Sequence, residues 1–394
     1  MFQNILKMVS GNLVAQVIQF VSLFFLARMY SPDEFSVLAL VQSLSTFFAV
    51  FFLLQLHHVL PITKCFEEKK ALFSVLVFQT LIVSFVFFSV SLLSSGNIFL
   101  LGVLLGAVLA LYNTNISLMT SSGEFGLISK IYIARAVLIS TLQFSFFFLS
   151  FLERLAVSAI IAEVIVQFLF FRNYKLLKFD VKILKLKLIS VYKTRSDFYI
   201  YGSFQELIAI AAFFIPLYLI EFRFGSEASG NYGMASRLVW APAILVSSSV
   251  AQVLYGKLGA LSEKDAYNYI KKIKFIPVFF LFIPIGIGSF FMEPIYKLIL
   301  GANWDLAVEM FPLIICWALI FMVGTIYRVC YRVFSIQKKL VYLDFIYMLL
   351  VGASFFVYME AGPVMSLWFV VLACVVSTSM VISVLFLTLN KRFS

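Results

Sequence analysis

Apolar residues run along this chain in blocks of about twenty, each broken by a short polar turn. A hydrocarbon layer about 30 Å thick needs roughly 20 such residues per crossing helix. That length predicts twelve spans, at about 6–28, 35–56, 71–94, 97–119, 131–152, 155–172, 199–221, 231–256, 275–292, 306–327, 340–359 and 364–389. Backbone groups in lipid must be satisfied within their own segment, so the spans are expected to be α-helices. The alternating segments of a membrane barrel, about ten residues each, are not visible. The pattern predicts an all-α, polytopic membrane protein.

Composition agrees. Of 394 residues, 63% are hydrophobic and 12% charged, against about 45–50% and about 25% in soluble domains. This excludes a soluble enzyme, a disulfide scaffold and a disordered chain. The four cysteines, Cys65, Cys316, Cys330 and Cys374, form no CxxC or His-Cys cluster, so neither a disulfide framework nor a zinc site is expected. The first apolar run lacks a cleavage signature and is expected to stay as a span.

The basic residues give direction. With the N-terminus inside, 25 of the 30 Lys and Arg fall on inner segments and 4 on outer ones, Arg28, Arg154, Arg223 and Lys297, with Arg237 alone inside a span. That asymmetry is the positive-inside pattern, with both termini cytoplasmic. It accounts for the net charge of +11 without invoking nucleic acid.

The chain divides into two halves, 1–172 and 199–394, joined by a basic inner linker, 173–198. In the linker, Lys175, Lys178, Lys182 and Lys185 recur at helical spacing, with Leu177, Val181, Leu184 and Leu188 on another face. This suits an amphipathic helix on the anionic leaflet, or a solvated linker that only fixes topology; the alternation over 179–183 also suits a strand. The halves look related: RMYSPDEFSVLALV at 28–41 and FRFGSEASGNYGMA at 222–235 are offset by 194 residues. Both join an odd span to the next even one outside, which makes the repeat parallel, an arrangement found in transporters.

An ionisable side chain mid-membrane costs on the order of 2.5–3.5 kcal/mol on insertion scales. Four stand out: Glu163, Glu206, Arg237 and Asp344. Each is either a pathway residue or half of a structural pair. For Asp344 the structural reading is an interfacial pair with Lys338 or Lys339. Amides form stripes. Asn12, Gln16 and Gln19 share one face of the first span; Arg237, Ser248 and Gln252 share an arc of the eighth; Tyr112, Asn113 and Asn115 cluster in the fourth. These are either interhelical hydrogen bonds or the lining of a wet cavity, where amides suit sugar hydroxyls and the planar Arg fork suits phosphate. Arg328 and Arg332 form a second basic pair, better explained by topology. Pro216, Pro242, Pro277 and Pro284 permit bends. No nucleotide loop, hydrolase elbow or metalloprotease motif occurs, so no enzyme is expected.

Several segments then resemble one family. LARMYSPDEFSVLALVQSLSTFF at 26–48, HHVLPITKCFEEKKAL at 57–72, FGSEASGNYGMASRLVWAPAILVSSSVAQVLYGKL at 224–258, NWDLAVEMFPLI at 303–314 and SIQKKLVYLDF at 335–345 resemble bacterial polysaccharide repeat-unit flippases. These are the Wzx-type branch of the multidrug/oligosaccharidyl-lipid/polysaccharide exporter superfamily. Ser36, where that family commonly has Gly, and His57-His58 depart from it. The resemblance implies two six-helix bundles around a central cavity in the inner membrane. It implies alternating-access flipping of an undecaprenyl-diphosphate-linked oligosaccharide from the cytoplasmic to the periplasmic face, for O-antigen or capsule synthesis. Arg237 is then the first candidate for the diphosphate, with Asn12, Gln16, Gln19 and Gln252 on the sugar path and Arg328 and Arg332 as further basic contacts. Glu163, Glu206 or Asp344 could couple a gradient of H⁺ or Na⁺. A polysaccharide polymerase and chain-length regulator are the implied protein partners, and no cofactor is implied. A drug/cation antiporter of the same superfamily is the alternative, and a membrane-embedded polymerase or ligase a more distant one.

Overall fold

The computed structural model describes residues 2–63, 65–93, 96–171, 202–259, 261–273, 292–298, 300–334, 336–356 and 362–393. Among them every regular element is helical and no strand occurs. The linker 173–198, the ninth predicted span and the side chains of Gln252 and Arg332 lie outside the described residues.

Among the described residues the first half holds, besides a 3-10 turn at Leu56–Ile62, six α-helices: α1 (Phe2–Met29), α2 (Pro32–Leu53), α3 (Phe66–Ser91), α4 (Asn97–Ser121), α5 (Phe125–Phe146) and α6 (Arg154–Val166). The last runs on into a π turn, Gln167–Phe171. The second half contains α7 (Ser203–Gly259), the short α8 (Glu263–Ile273), α9 (Asp305–Val333), α10 (Gln337–Ala353) and α11 (Pro363–Phe393). Eight of the described helical segments are long and apolar enough to cross a bilayer. Large apolar side chains such as Val17, Phe25, Phe85, Val253 and Leu372 remain exposed, which suits contact with lipid tails. The chain separates into two compact units, Met1–Ile210 and Ala211–Ser394.

Helix boundaries follow local chemistry. Ser31 accepts from the Glu34 N–H, Glu34 accepts back from the Ser31 N–H at 3.0 Å, and Pro32 takes the first helical position of α2. This reciprocal cap satisfies two of the backbone donors that a helix start leaves open. The predicted seventh and eighth spans are separated by a single break inside α7, at Gly225, with φ 87° and ψ 177°. The polar loop expected around 222–230 is therefore helical on both sides of one residue. A φ that positive strains any side chain with a Cβ, so the turn needs glycine. The offset of 194 residues read from the sequence brings Ser31 onto Gly225. The two residues at which the chain reverses are thus each other's counterparts.

In the first unit, α2 packs on α4, α1 on α5, and α6 on α5. The α2–α4 contact is close because α4 carries Gly102 and Gly106 one turn apart. A Cβ on Gly102 would lie 2.7 Å from the Leu44 Cβ, and one on Gly106 would lie 2.7 Å from the Phe48 Cβ and 3.1 Å from the Ser45 carbonyl oxygen. Small residues at that spacing let membrane helices approach backbone to backbone. Phe48, Phe52, Leu72, Leu76 and Val103 fill the core below. In the second unit α11 packs on both α9 and α10.

One end of each unit carries an arginine brace, at the end that the basic-residue count places outside. Arg154 donates from Nε to Glu34 at 2.5 Å and from Nη1 to the carbonyl oxygens of Phe147, at 2.6 Å, and Leu149. Its guanidinium lies 4.8 Å over the Tyr30 ring. In the second unit Arg223 donates to the Phe355 carbonyl oxygen and lies 5.2 Å from the Phe224 ring. Tyr30 and Phe224 are counterparts at the same offset of 194 residues. Each brace ties the turn before the unit's last helix to the same repeat position, using arginines from different helices.

Candidate functional site

The first unit holds a polar cluster inside its helical wall. Arg135 of α5 pairs with Glu163 of α6 at 2.5 Å, with Glu163 buried and Arg135 half-buried. The guanidinium lies 4.8 Å over the Tyr112 ring of α4. One turn along, Asn115 donates to the Gln167 side-chain oxygen at 3.2 Å, and Gln167 donates to the Val108 carbonyl oxygen at 3.1 Å. Gln167 opens the π turn of α6. A π turn shifts side chains out of the regular helical register and is frequent at functional sites. Three helices thus converge on one carboxylate, one guanidinium, one phenol and two amides.

The second unit has its own buried pair. Arg328 of α9 meets Asp344 of α10 at 2.5 Å, and only 3% of the Asp344 side chain is exposed. Tyr331, next to it on α9, donates to the Val381 carbonyl oxygen of α11 at 2.6 Å. One turn from Asp344, the Tyr347 hydroxyl accepts from the Trp317 indole at 2.7 Å. Phe213, Trp240, Trp317 and Phe321 pack edge to face beyond it. Each unit therefore carries, in its helical wall, an arginine–carboxylate pair with tyrosines beside it. Within a low-dielectric wall, a charge of this kind persists only when paired and hydrogen-bonded.

The residues predicted from sequence fall into three groups. Glu163, Asp344 and Arg328 are committed to ion pairs. The partner of Asp344 is Arg328 across the helix pair, where the sequence pointed to Lys338 or Lys339. Asn12 and Gln16 are half-buried and Gln19 is exposed. They lie on the side of α1 that carries the buried Leu23 and Leu26, across from the exposed Val14, Val17 and Val21. The amide stripe is thus turned away from the apolar, exposed face. Arg237 is half-buried on α7 and Glu206 half-buried in that helix's first turn. These two belong to different compact units. For Arg332 and Gln252, only the backbone is described.

Arg135, Gln167 and the Arg154–Glu34 brace escaped the sequence reading. In the basic-residue count Arg135 belongs to the inner side. It lies inside the membrane helix because α5 begins at Phe125, straight after the turn at Gly123. The available signal was an arginine and a glutamate in successive spans, each some way in from the same end.

No protein-family model and no curated protein matches this chain. Solved structures do. The lipid II flippase MurJ, in an inward closed conformation, superposes with a TM-score of 0.75 at 13% identity, covering 99% of this chain and 88% of that one. A MOP superfamily transporter from Pyrococcus furiosus gives a TM-score of 0.63 at 12% identity, covering 98% and 95%. An inward-facing multidrug resistance MATE family transporter gives 0.61 at 14% identity, covering 98% and 94%. This chain has their fold. It is a multi-pass, all-helical membrane protein of about twelve spans in two related six-helix bundles, as its hydropathy pattern and repeat imply.

Proposed function

We propose that this protein is a flippase for a polyprenyl-diphosphate-linked oligosaccharide. It carries the polar head group from the cytoplasmic to the periplasmic face of a bacterial inner membrane by alternating access, for assembly of O-antigen or capsule. The observation that carries this reading is the superposition on the lipid II flippase MurJ over 99% of the chain. The sequence segments that resemble Wzx-type flippases point the same way.

A sugar diphosphate cannot cross some 30 Å of hydrocarbon unless polar groups replace its water. The amides of Asn12, Gln16 and Gln19 offer donors and acceptors on the side of α1 opposite Val14, Val17 and Val21, and Gln252 is a further amide candidate by its place in the sequence. Arg237, whose planar fork binds phosphate oxygens two at a time, is the diphosphate contact. Arg328 is neutralised by Asp344, so the pair serves the second unit's architecture better than it serves an anionic substrate. Glu163, Glu206 and Asp344 are the carboxylates through which H⁺ or Na⁺ could drive the cycle. Glu163 is first among them, because it lies in the cluster at the π turn.

The deciding experiment depletes the protein in its host and follows lipid-linked repeat units and surface polysaccharide together. Accumulation of the cytoplasm-facing intermediate with loss of surface polymer is expected, and the trapped glycan identifies the substrate. Normal polysaccharide with new sensitivity to toxic organic cations would establish the antiporter reading instead, which the MATE superposition supports.

A further inference from the structure

The second unit ends, on the side that the basic-residue count places inside, in a collar of lysines. The short helix α8 is amphipathic. Its Ala266 and Ile270 are buried with Leu254, Leu258, Phe334, Leu340 and Leu389, while Lys264, Asn268, Lys271 and Lys272 are exposed. An isolated helix of this composition would lay its apolar face into lipid. Here the protein already covers that face, and the outward side presents these three lysines, with Glu263 and Asp265 confined to the first turn.

Tight contacts hold the collar in place. Ser262 caps α8, accepting from the Asp265 N–H at 3.2 Å. Arg392 bonds Glu263 at 2.9 Å and the Phe334 carbonyl oxygen at 3.1 Å. Tyr267 bonds Asn390 and stacks on Phe393 with ring centroids 5.3 Å apart. Lys257 lies 4.3 Å over the Tyr269 ring, and Lys339 donates to Thr388 at 2.9 Å. The ends of α7, α10 and α11 are thereby gathered around α8.

The decisive feature is where the lysines stand relative to the exposed apolar faces above them. On α7, Lys257 is one turn below Val253, which is 73% exposed. On α10, Lys338 shares a face with Tyr342, Phe345 and Leu349, all exposed. On α11, Lys391 is one turn below Leu387, 62% exposed. Lys257, Lys338 and Lys391 are themselves exposed. Each of the three helices thus passes from an apolar face suited to acyl chains directly to an ammonium. That is the vertical order of a phospholipid, tail and then phosphate.

We propose that this collar is a binding site for the phosphate head groups of anionic phospholipids in the cytoplasmic leaflet. Lys257, Lys338 and Lys391 contact head groups whose tails lie on α7, α10 and α11, and Lys271 and Lys272 in the last turn of α8 supply further charge. A basic residue near an anionic leaflet is drawn to its phosphates, so a cluster held in place by the fold selects anionic over zwitterionic lipid.

The test uses the purified full chain in mild detergent, with thermal unfolding followed during titration with phosphatidylglycerol, phosphatidylcholine or inorganic phosphate. Phosphatidylglycerol is expected to raise the melting temperature, with phosphatidylcholine and phosphate having little effect. The triple variant Lys257→Gln/Lys338→Gln/Lys391→Gln should lose most of that rise, read for each protein against its own lipid-free melting temperature. The triple Lys→Arg variant should keep the rise, a control that also covers any folding defect of the glutamine variant. Native mass spectrometry should show fewer phosphatidylglycerol adducts on the glutamine variant. An equal rise with phosphatidylcholine or with phosphate alone would overturn the proposal. So would a glutamine variant that responds to phosphatidylglycerol like the parent.

Discussion

A guanidinium inside a membrane helix keeps its charge only where something compensates it, and at two positions here a carboxylate does so. Arg135 and Arg328 each face a buried carboxylate. Breaking such a pair strands a charge and costs roughly 3–5 kcal/mol, whereas removing both members costs far less. Glu163→Gln should therefore lower the melting temperature, and Glu163→Gln with Arg135→Gln should restore much of it. If Glu163 also carries the coupling ion, transport in vesicles stays independent of the gradient in the repaired double variant, which separates that role from a structural one. Arg237, half-buried, is proposed on the diphosphate. Arg237→Ala should abolish surface polymer without lowering protein abundance, with partial rescue by Lys, which keeps the charge and loses the fork. Immunoblot and polymer staining of the same cells measure both. Sequence pointed to Glu163, Asp344 and Arg237 because each interrupts an apolar run. It missed Arg135 because a basic residue near an inner helix end is what topology already demands.

Elements were legible wherever hydropathy alone sets them. The runs near 306–327 and 364–389 became α9 and α11, both longer than the hydrocarbon requires. Less legible were the devices that join and pack helices. Gly106 looked like any glycine in a membrane span, yet its missing side chain is what lets α4 reach the backbone of Ser45 on α2. Gly106→Leu should overpack that contact and destabilise the first unit by about 1–3 kcal/mol. Gly126→Ala, at an open position on α5, should be neutral or mildly stabilising. Paired melting curves in one detergent make the comparison. Gly225 was equally quiet in the sequence. Its role as the whole turn between two spans comes from its positive φ, which only backbone geometry reveals.

At the scale of the whole molecule, the orientation rests on a distribution of charge, and cysteine chemistry can check it. Cys65 is exposed in the turn between α2 and α3, on the side predicted to be inner, whereas Cys330 and Cys374 are buried and Cys316 half-buried. A membrane-impermeant maleimide should label Cys65 in inside-out vesicles and leave it unlabelled in intact cells. Cys65→Ser should remove the signal. Labelling in intact cells would reverse the topology.

Helicity, the number of spans, their expected direction and the twofold repeat are properties of the sequence by itself. Each follows from a sum over many residues: apolar length against bilayer thickness, satisfaction of backbone groups in lipid, and the bias of Lys and Arg. Single exceptions barely move such sums. The choice of partners was decided by the tertiary structure. Arg135 meets Glu163, Arg328 meets Asp344, and Arg154 and Arg223 brace the same repeat position from different helices. Those choices depend on which helices lie side by side and how they are rotated. Rotation is set by close packing at a few small residues, which no count along the chain contains.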